Sequence, residues 1–232
     1  MYKFETHLHT SSCSACAVSS GYEMVDAAKE NGYSGIVITN HFYHGNTCVD
    51  RNLSWDDFIS AYRTDYEATR DYGEKMGIQV FFGIEEGFAP GKEMLIYGIT
   101  PEQLTAHPEF IMLSAKEKSD LIHSLGGITV CAHPYRDRAY IPEPNKDPDP
   151  TIFDGIEGYN RANTPEQNIR AFNFARKNGL FAISGGDVHN AKEFGTAGIE
   201  FDTRIKDYAD FLNRIKFGNF SIIPKAFIDT LL

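Results

Sequence analysis

The chain has 232 residues and a formal net charge of −10, with 42% hydrophobic and 23% charged residues. That length suits one domain with a sizeable core, and the ordinary composition excludes a disordered or fibrous chain. The acidic balance speaks against a general nucleic-acid binder, which needs a basic face to neutralise phosphates. No apolar run approaches the roughly 20 residues needed to cross a bilayer.

The first ten residues, Met1 to Thr10, hold neither a basic n-region nor an apolar h-region, so no secretory signal is expected. Cys13, Cys16, Cys48 and Cys131 include one CxxC pair without a second to complete a zinc site. A reducing, cytoplasmic compartment is the expectation.

Apolar runs and amphipathic stretches alternate along the chain. The runs are Tyr2 to His9, Gly35 to His41, Ile78 to Glu85, Met94 to Ile99, Gly127 to His133, Asp154 to Tyr159 and Leu180 to Asp187. They are short and mostly rich in Ile, Val, Phe or Tyr, as strands are. Helices are expected over Tyr22 to Asn31, which stops at Gly32, and over Trp55 to Met76, which stops at Gly77. Ser114 to Leu125 precedes Gly126 and Gly127. Thr164, Pro165 and Glu166 open a helix that runs to Asn178 and Gly179, and Lys206 to Phe217 makes the last. Tyr140 to Thr151, with four prolines, reads as a loop and a possible substrate lid. The alternation predicts an α/β fold with a parallel sheet flanked by helices. About seven strands suggest a closed or nearly closed barrel in a single domain, residues 1–232, although an open doubly wound sheet gives the same pattern.

Polar residues cluster at the strand ends. His7 and His9 share one strand face through the period of two, as do Asp187 and His189. The other strands end in His41, Glu85 and His133. In an α/β barrel the C-terminal strand ends form the rim where active sites are built. Imidazoles and carboxylates together suit divalent Zn, Mn or Fe. Seven such residues exceed what one tetrahedral ion requires.

His7-Leu8-His9-Thr10, Thr39-Asn40-His41, Gly83-Ile84-Glu85, Ala132-His133-Pro134 and Gly186-Asp187-Val188-His189 resemble, in order and strand context, the motifs of the PHP (polymerase and histidinol phosphatase) family. The resemblance implies a distorted (β/α)7 TIM-like barrel and a metal site of two or three ions that hydrolyses phosphate esters. Its ligand positions fall on His7, His9, His41, Glu85, His133, Asp187 and His189. The chain departs from the family pattern in lacking a carboxylate or imidazole shortly after His9. It also lacks a well-placed histidine between Glu85 and His133, since His107 lies in a Pro-flanked turn and His123 in a helix. The expected complement is therefore one to three divalent ions.

Arg136 and Arg161 follow strand ends on the same rim, where a guanidinium can grip phosphate oxygens in bidentate fashion. Asp187 is a second candidate for a catalytic role, as a proton shuttle. The expected reaction is attack by metal-activated water on a small phosphomonoester, such as histidinol phosphate, a sugar phosphate or a nucleotide. A nuclease-like phosphodiesterase and a metal-binding module without turnover are the alternatives. Cys13 and Cys16 read as small loop residues, with a thiolate of one of them in place of the ligand missing after His9 as the open alternative; Cys131 reads as a buried thiol, Glu86 as a solvated charge and His44 as an exposed loop histidine. Glu93, just before the fourth strand, carries no assignment.

Overall fold

A computed structural model describes residues 1–231. One nine-stranded sheet runs through them in the order β7-β6-β5-β4-β3-β2-β1-β8-β9. The strands are β1 (Tyr2–Leu8), β2 (Tyr33–Ile38), β3 (Gln79–Ala89), β4 (Lys92–Tyr97), β5 (Ile128–Cys131), β6 (Gly155–Asn160), β7 (Phe181–Gly185), β8 (Gly198–Phe201) and β9 (Ser221–Ile223). The main helices are α1 (Gly21–Glu30), α2 (Trp55–Met76), α3 (Pro101–Thr105), α4 (Ala115–Ser124), α5 (Pro165–Lys177), α6 (Tyr208–Lys216) and α7 (Lys225–Asp229).

Strands β1 to β7 bend into a barrel. Its seam is drawn together beyond the strand ends, where Leu8 bridges Val188 in parallel and His9 donates its amide to the Val188 carbonyl at 2.9 Å. The lower half of β1 turns to the other side and pairs antiparallel with β8 from Tyr2 to Phe4. Along the edge away from β2, strand β1 therefore divides its hydrogen bonds between two partners.

The seven expected runs form β1 to β7, but the sheet has nine strands and a regular (β/α)7 pattern does not hold. Strand β4 is antiparallel to both β3 and β5, and β3 joins it through a tight turn instead of a helix. The turn reads Ala89-Pro90-Gly91, with Gly91 at φ 67°, a left-handed conformation that glycine adopts without a Cβ penalty. The step from β5 to β6 crosses the Pro-rich loop, also without a helix. Strands β8 and β9, which lie outside the expected set, form an antiparallel pair.

The helix boundaries follow local chemistry. Ser20, Ser114 and Thr164 each close a capping box with the Glu or Gln three residues on, and Gly77 ends α2 in the left-handed region. The period of two then sorts the barrel residues. Phe4, Val37, Phe81, Leu95, Tyr97, Val130 and Ile183 belong to one buried cluster, with α6 packed against it through Phe211 and Ile215. Directly along the same strand faces come Thr39 and His41, Gly83 and Glu85, and Glu93. A second cluster, including Phe42, Phe58, Met94 and Ile122, packs α2, α4 and α5 on the outside. The apolar filling thus stops one layer short of the C-terminal mouth, and the layer above it is polar. No helix among the described residues is long and apolar enough to cross a membrane.

Candidate metal centre

All seven predicted ligands meet at that mouth, and all but His189 are buried. His7 Nε2 lies 3.1 Å from His9 Nε2, 3.2 Å from Glu85 Oε1 and 3.5 Å from Asp187 Oδ1. His9 Nε2 lies 3.4 Å from Glu85 Oε2 and 3.3 Å from Asp187 Oδ1. Glu85 also meets His41 Nδ1 at 2.8 Å and His133 Nε2 at 3.0 Å, which makes it the hub of the set. The His189 ring stacks on that of His9 with centroids 4.3 Å apart.

The outer hydrogen bonds fix which ring nitrogen faces inward. His7 Nδ1 donates to Glu157 Oε1 at 2.8 Å, and His189 Nδ1 donates to the Asp187 carbonyl at 2.9 Å. The Ser14 hydroxyl donates to Asn40 Oδ1, so its oxygen accepts from His9 Nδ1 at 3.0 Å and from the His41 amide. Three histidines therefore carry the proton on the outer nitrogen and turn the Nε2 lone pair inward, the orientation that metal-ligating histidines take. The inward Nε2 atoms of His7 and His9, 3.1 Å apart, need a shared proton or a cation between or beside them. His41 Nδ1, Glu85 Oε2 and His133 Nδ1 are buried without a hydrogen-bond partner. Buried polar atoms are ordinarily satisfied, and a cation bound at Glu85 and His41 would satisfy two of these three. The donor set fits divalent ions.

The electrostatics point the same way. Against burial, which works to raise it, His7, His41 and His133 hold Glu85 well below the usual carboxylate range. Burial likewise opposes ionisation of Asp187, but His7 and Arg136 hold it well below its ordinary value. Despite burial, the carboxylates of Glu157, Asp187 and Glu85 raise His7, while burial and the neighbouring His41 lower His9. The pocket thus keeps its carboxylates charged and stabilises positive charge at its centre.

The backbone is shaped to bring these groups together. His133 (φ 28°) and Asp187 (φ 50°) adopt left-handed conformations that non-glycine residues seldom hold, at a cost of about 1–3 kcal/mol each. Gly185 and Gly186 lie beneath the cluster. A Cβ on Gly185 would stand 2.5 Å from Glu157 Oε1 and 2.6 Å from His7 Cβ.

Several residues that sequence reasoning left unassigned or did not name belong here. Glu93 places Oε1 at 3.4 Å from His41 Nδ1 and Oε2 at 3.5 Å from His133 Nε2. Glu157 holds His7 and also accepts the His133 amide at 2.9 Å. Glu5, whose carboxyl is raised to about 7 by burial, accepts the amides of Thr6, His7 and Gly186. Cys16 Sγ stands 3.1 Å from His189 Nε2. Against the effect of burial, His189 and His41 lower the thiol to about 6. Cys16 is therefore more than a small loop residue.

Arg136 reaches the cluster, with Nη2 2.5 Å from Asp187 Oδ2 and 3.0 Å from Asn160 Oδ1. Arg161 stays at its edge, bonded to the Gly186 carbonyl and to Glu193 at 3.0 Å. Its guanidinium contacts no ligand side chain among these bonds. His123 is bonded to Asp154 and His107 to Glu109, both away from the mouth. Cys131 is buried, as expected.

Glu86 corrects the expectation of a solvated charge. It is fully buried on the opposite face of β3, paired with Lys118, and it accepts from His44 Nδ1 at 2.6 Å. The Pro-rich loop lines a cavity of about 340 Å³ with Phe88, Lys92 and Ile152, whose walls contain none of the candidate ligands.

Fold and site together define an α/β barrel with a His/carboxylate cluster at its mouth that is suited to metal binding. Residues 165–220 match the family model PHP_C, described as PHP-associated. A two-domain protein from Bacteroides vulgatus, containing a predicted PHP-like metal-dependent phosphoesterase, superposes with a TM-score of 0.71 at 15% identity, over 95% of this chain and 64% of that one. A candidate metal-dependent phosphoesterase from Bifidobacterium adolescentis gives 0.59 at 16% identity, over 92% and 95%. The lesion-specific endonuclease EndoQ from Pyrococcus furiosus gives 0.61 at 13% identity, over 95% and 57%. No curated protein sequence matches the chain. The chain shares its fold with these structures, and its segment 165–220 matches the PHP-associated model.

Proposed function

We propose that the protein is a metal-dependent phosphoesterase acting on a small phosphomonoester. The observation that carries this reading is the inward Nε2 of His7, His9 and His189, each held by an outer hydrogen bond, around two ionised carboxylates. Zn, Mn or Fe are suitable ions, one to three per chain, with His7, His9, His41, Glu85, His133, Asp187 and His189 as ligands and Glu93 as an added donor.

Bound divalent ions supply an acidified water and neutralise phosphoryl charge. The chain's own groups do the rest. The Arg136 side chain is 12% exposed and is held by Asp187 and Asn160 through Nη2 and by Asn163 through Nε, so it is preorganised to hold a phosphate oxygen near the cluster. Asp187, between Arg136 and the histidines, is placed to hold or pass a proton at Oδ1 or Oδ2. Arg161 is the second candidate for a phosphate contact, on release from Glu193.

The net charge of −10 favours a small substrate over a polynucleotide. The likeness of fold to an endonuclease supports a phosphodiesterase as the second reading. Elemental analysis of purified protein, followed by a phosphate-release screen over phosphomonoesters and a nuclease assay, tests both. Stoichiometric metal with phosphomonoester turnover is the expected result. Protein without metal, or with metal and no phosphate release, would overturn the proposal.

A further inference from the structure

We propose that Cys16 Sγ joins His41 and His189 as a metal-binding donor, making the outer corner of the cluster a mixed sulfur–nitrogen site for a soft divalent ion. The inference rests on the metal-dependent reading above and assigns one donor that the sequence pattern left open.

Three observations carry it. First, His189 Nδ1 donates its proton to the Asp187 carbonyl, so the nitrogen facing Cys16 at 3.1 Å is a lone pair. A sulfur and an imidazole lone pair at that distance need a proton or a cation between them. Second, ligand nitrogens of His9, His41 and His189 lie within 4.8 Å of one another, and the sulfur stands beside this set through its contact with His189. Third, the loop that carries Cys16 is fixed. Ala15 donates its amide to the Asn46 carbonyl at 2.9 Å, and Val18 donates to the His189 carbonyl at 2.9 Å. Ser14, two residues before Cys16, holds both the His9 ring and the His41 amide.

The other thiols of this region are differently engaged. Cys13 is buried in the outer apolar cluster, and Cys48 donates to the Ser12 carbonyl at 3.3 Å. Only Cys16 is turned toward the histidines. Thiolate favours zinc and its analogues over manganese or magnesium, so this corner would differ in metal preference from the carboxylate-rich centre at Glu85.

Metal-stripped protein reloaded with Co²⁺ alone tests the assignment. A cobalt–thiolate charge-transfer absorption in the near ultraviolet is expected in the unmodified chain and in Cys48→Ser, and its loss in Cys16→Ser. Elemental analysis of zinc-loaded protein should show Cys16→Ser losing one equivalent and Cys16→His recovering it without the absorption. Cobalt bound with no thiolate band, or Cys16→Ser with unchanged band and stoichiometry, would overturn the cysteine assignment alone. No cobalt or zinc bound by the unmodified chain would overturn the metal-dependent reading along with it.

Discussion

His7 Nδ1 and Glu157 Oε1 meet at 2.8 Å across the barrel, between strands that are 150 residues apart in sequence, and neither side chain touches solvent. The carboxylate orients the ring and makes its inner nitrogen a stronger donor. Glu157→Gln keeps the shape and removes the charge. It should lower metal affinity about 10- to 100-fold, measured by competition with a chromophoric chelator. Unchanged affinity would show that Glu157 is only packing.

His9 and Asp187 belong to the ligand set itself. His9→Ala or Asp187→Ala should remove bound metal and phosphatase activity together, with circular dichroism close to that of the parent. Full turnover in either variant would contradict their assignment. Dialysis against a strong chelator should have the same effect on the unmodified protein, reversed by adding divalent metal.

Arg136 tests the substrate side. Arg136→Lys retains the positive charge but loses the planar fork. Hydrogen bonds to charged groups are worth about 1.5–3 kcal/mol. The expected outcome is therefore a KM for phosphomonoester raised roughly 10- to 100-fold, with metal content unchanged. A metal loss without a KM effect would instead make Arg136 a support for Asp187.

Lys118 and Glu86 form a buried ion pair remote from the chemistry. Removing one partner leaves an uncompensated charge, at a cost of about 3–5 kcal/mol. Lys118→Met should lower the midpoint of urea unfolding accordingly. Adding Glu86→Gln should recover much of the loss. Equal stability of Lys118→Met and the parent would show that His44 alone compensates Glu86.

The centre was largely legible because its chemistry sits on regular strands. An alternating pattern puts His7 and His9 on one face whatever the tertiary partners, and glycines before Asp187 mark a close backbone approach. Strand β4 was legible as an apolar run, but its direction was not, since a short run reads alike both ways. That reversal is what carries Glu93 to the mouth. Glu86 followed the alternation rule correctly, pointing away from Glu85. What pattern reasoning lacked was Lys118, on a helix 32 residues on, which makes a buried charge tolerable. Cys16 lies in a loop, where no period tells which way a side chain turns.

Strand β1 carries two of the histidines, and along its edge away from β2 it divides its backbone hydrogen bonds between β8 below and the segment around Val188 above. The barrel wall is thus laced at that edge by a few bonds near the mouth instead of a full ladder. Loosening there would separate His7 and His9 from Asp187 while leaving the rest of the wall paired. Ions that tie those three side chains together would act as a clasp across the gap, so amide exchange at His9 and Val188 should slow when metal is added.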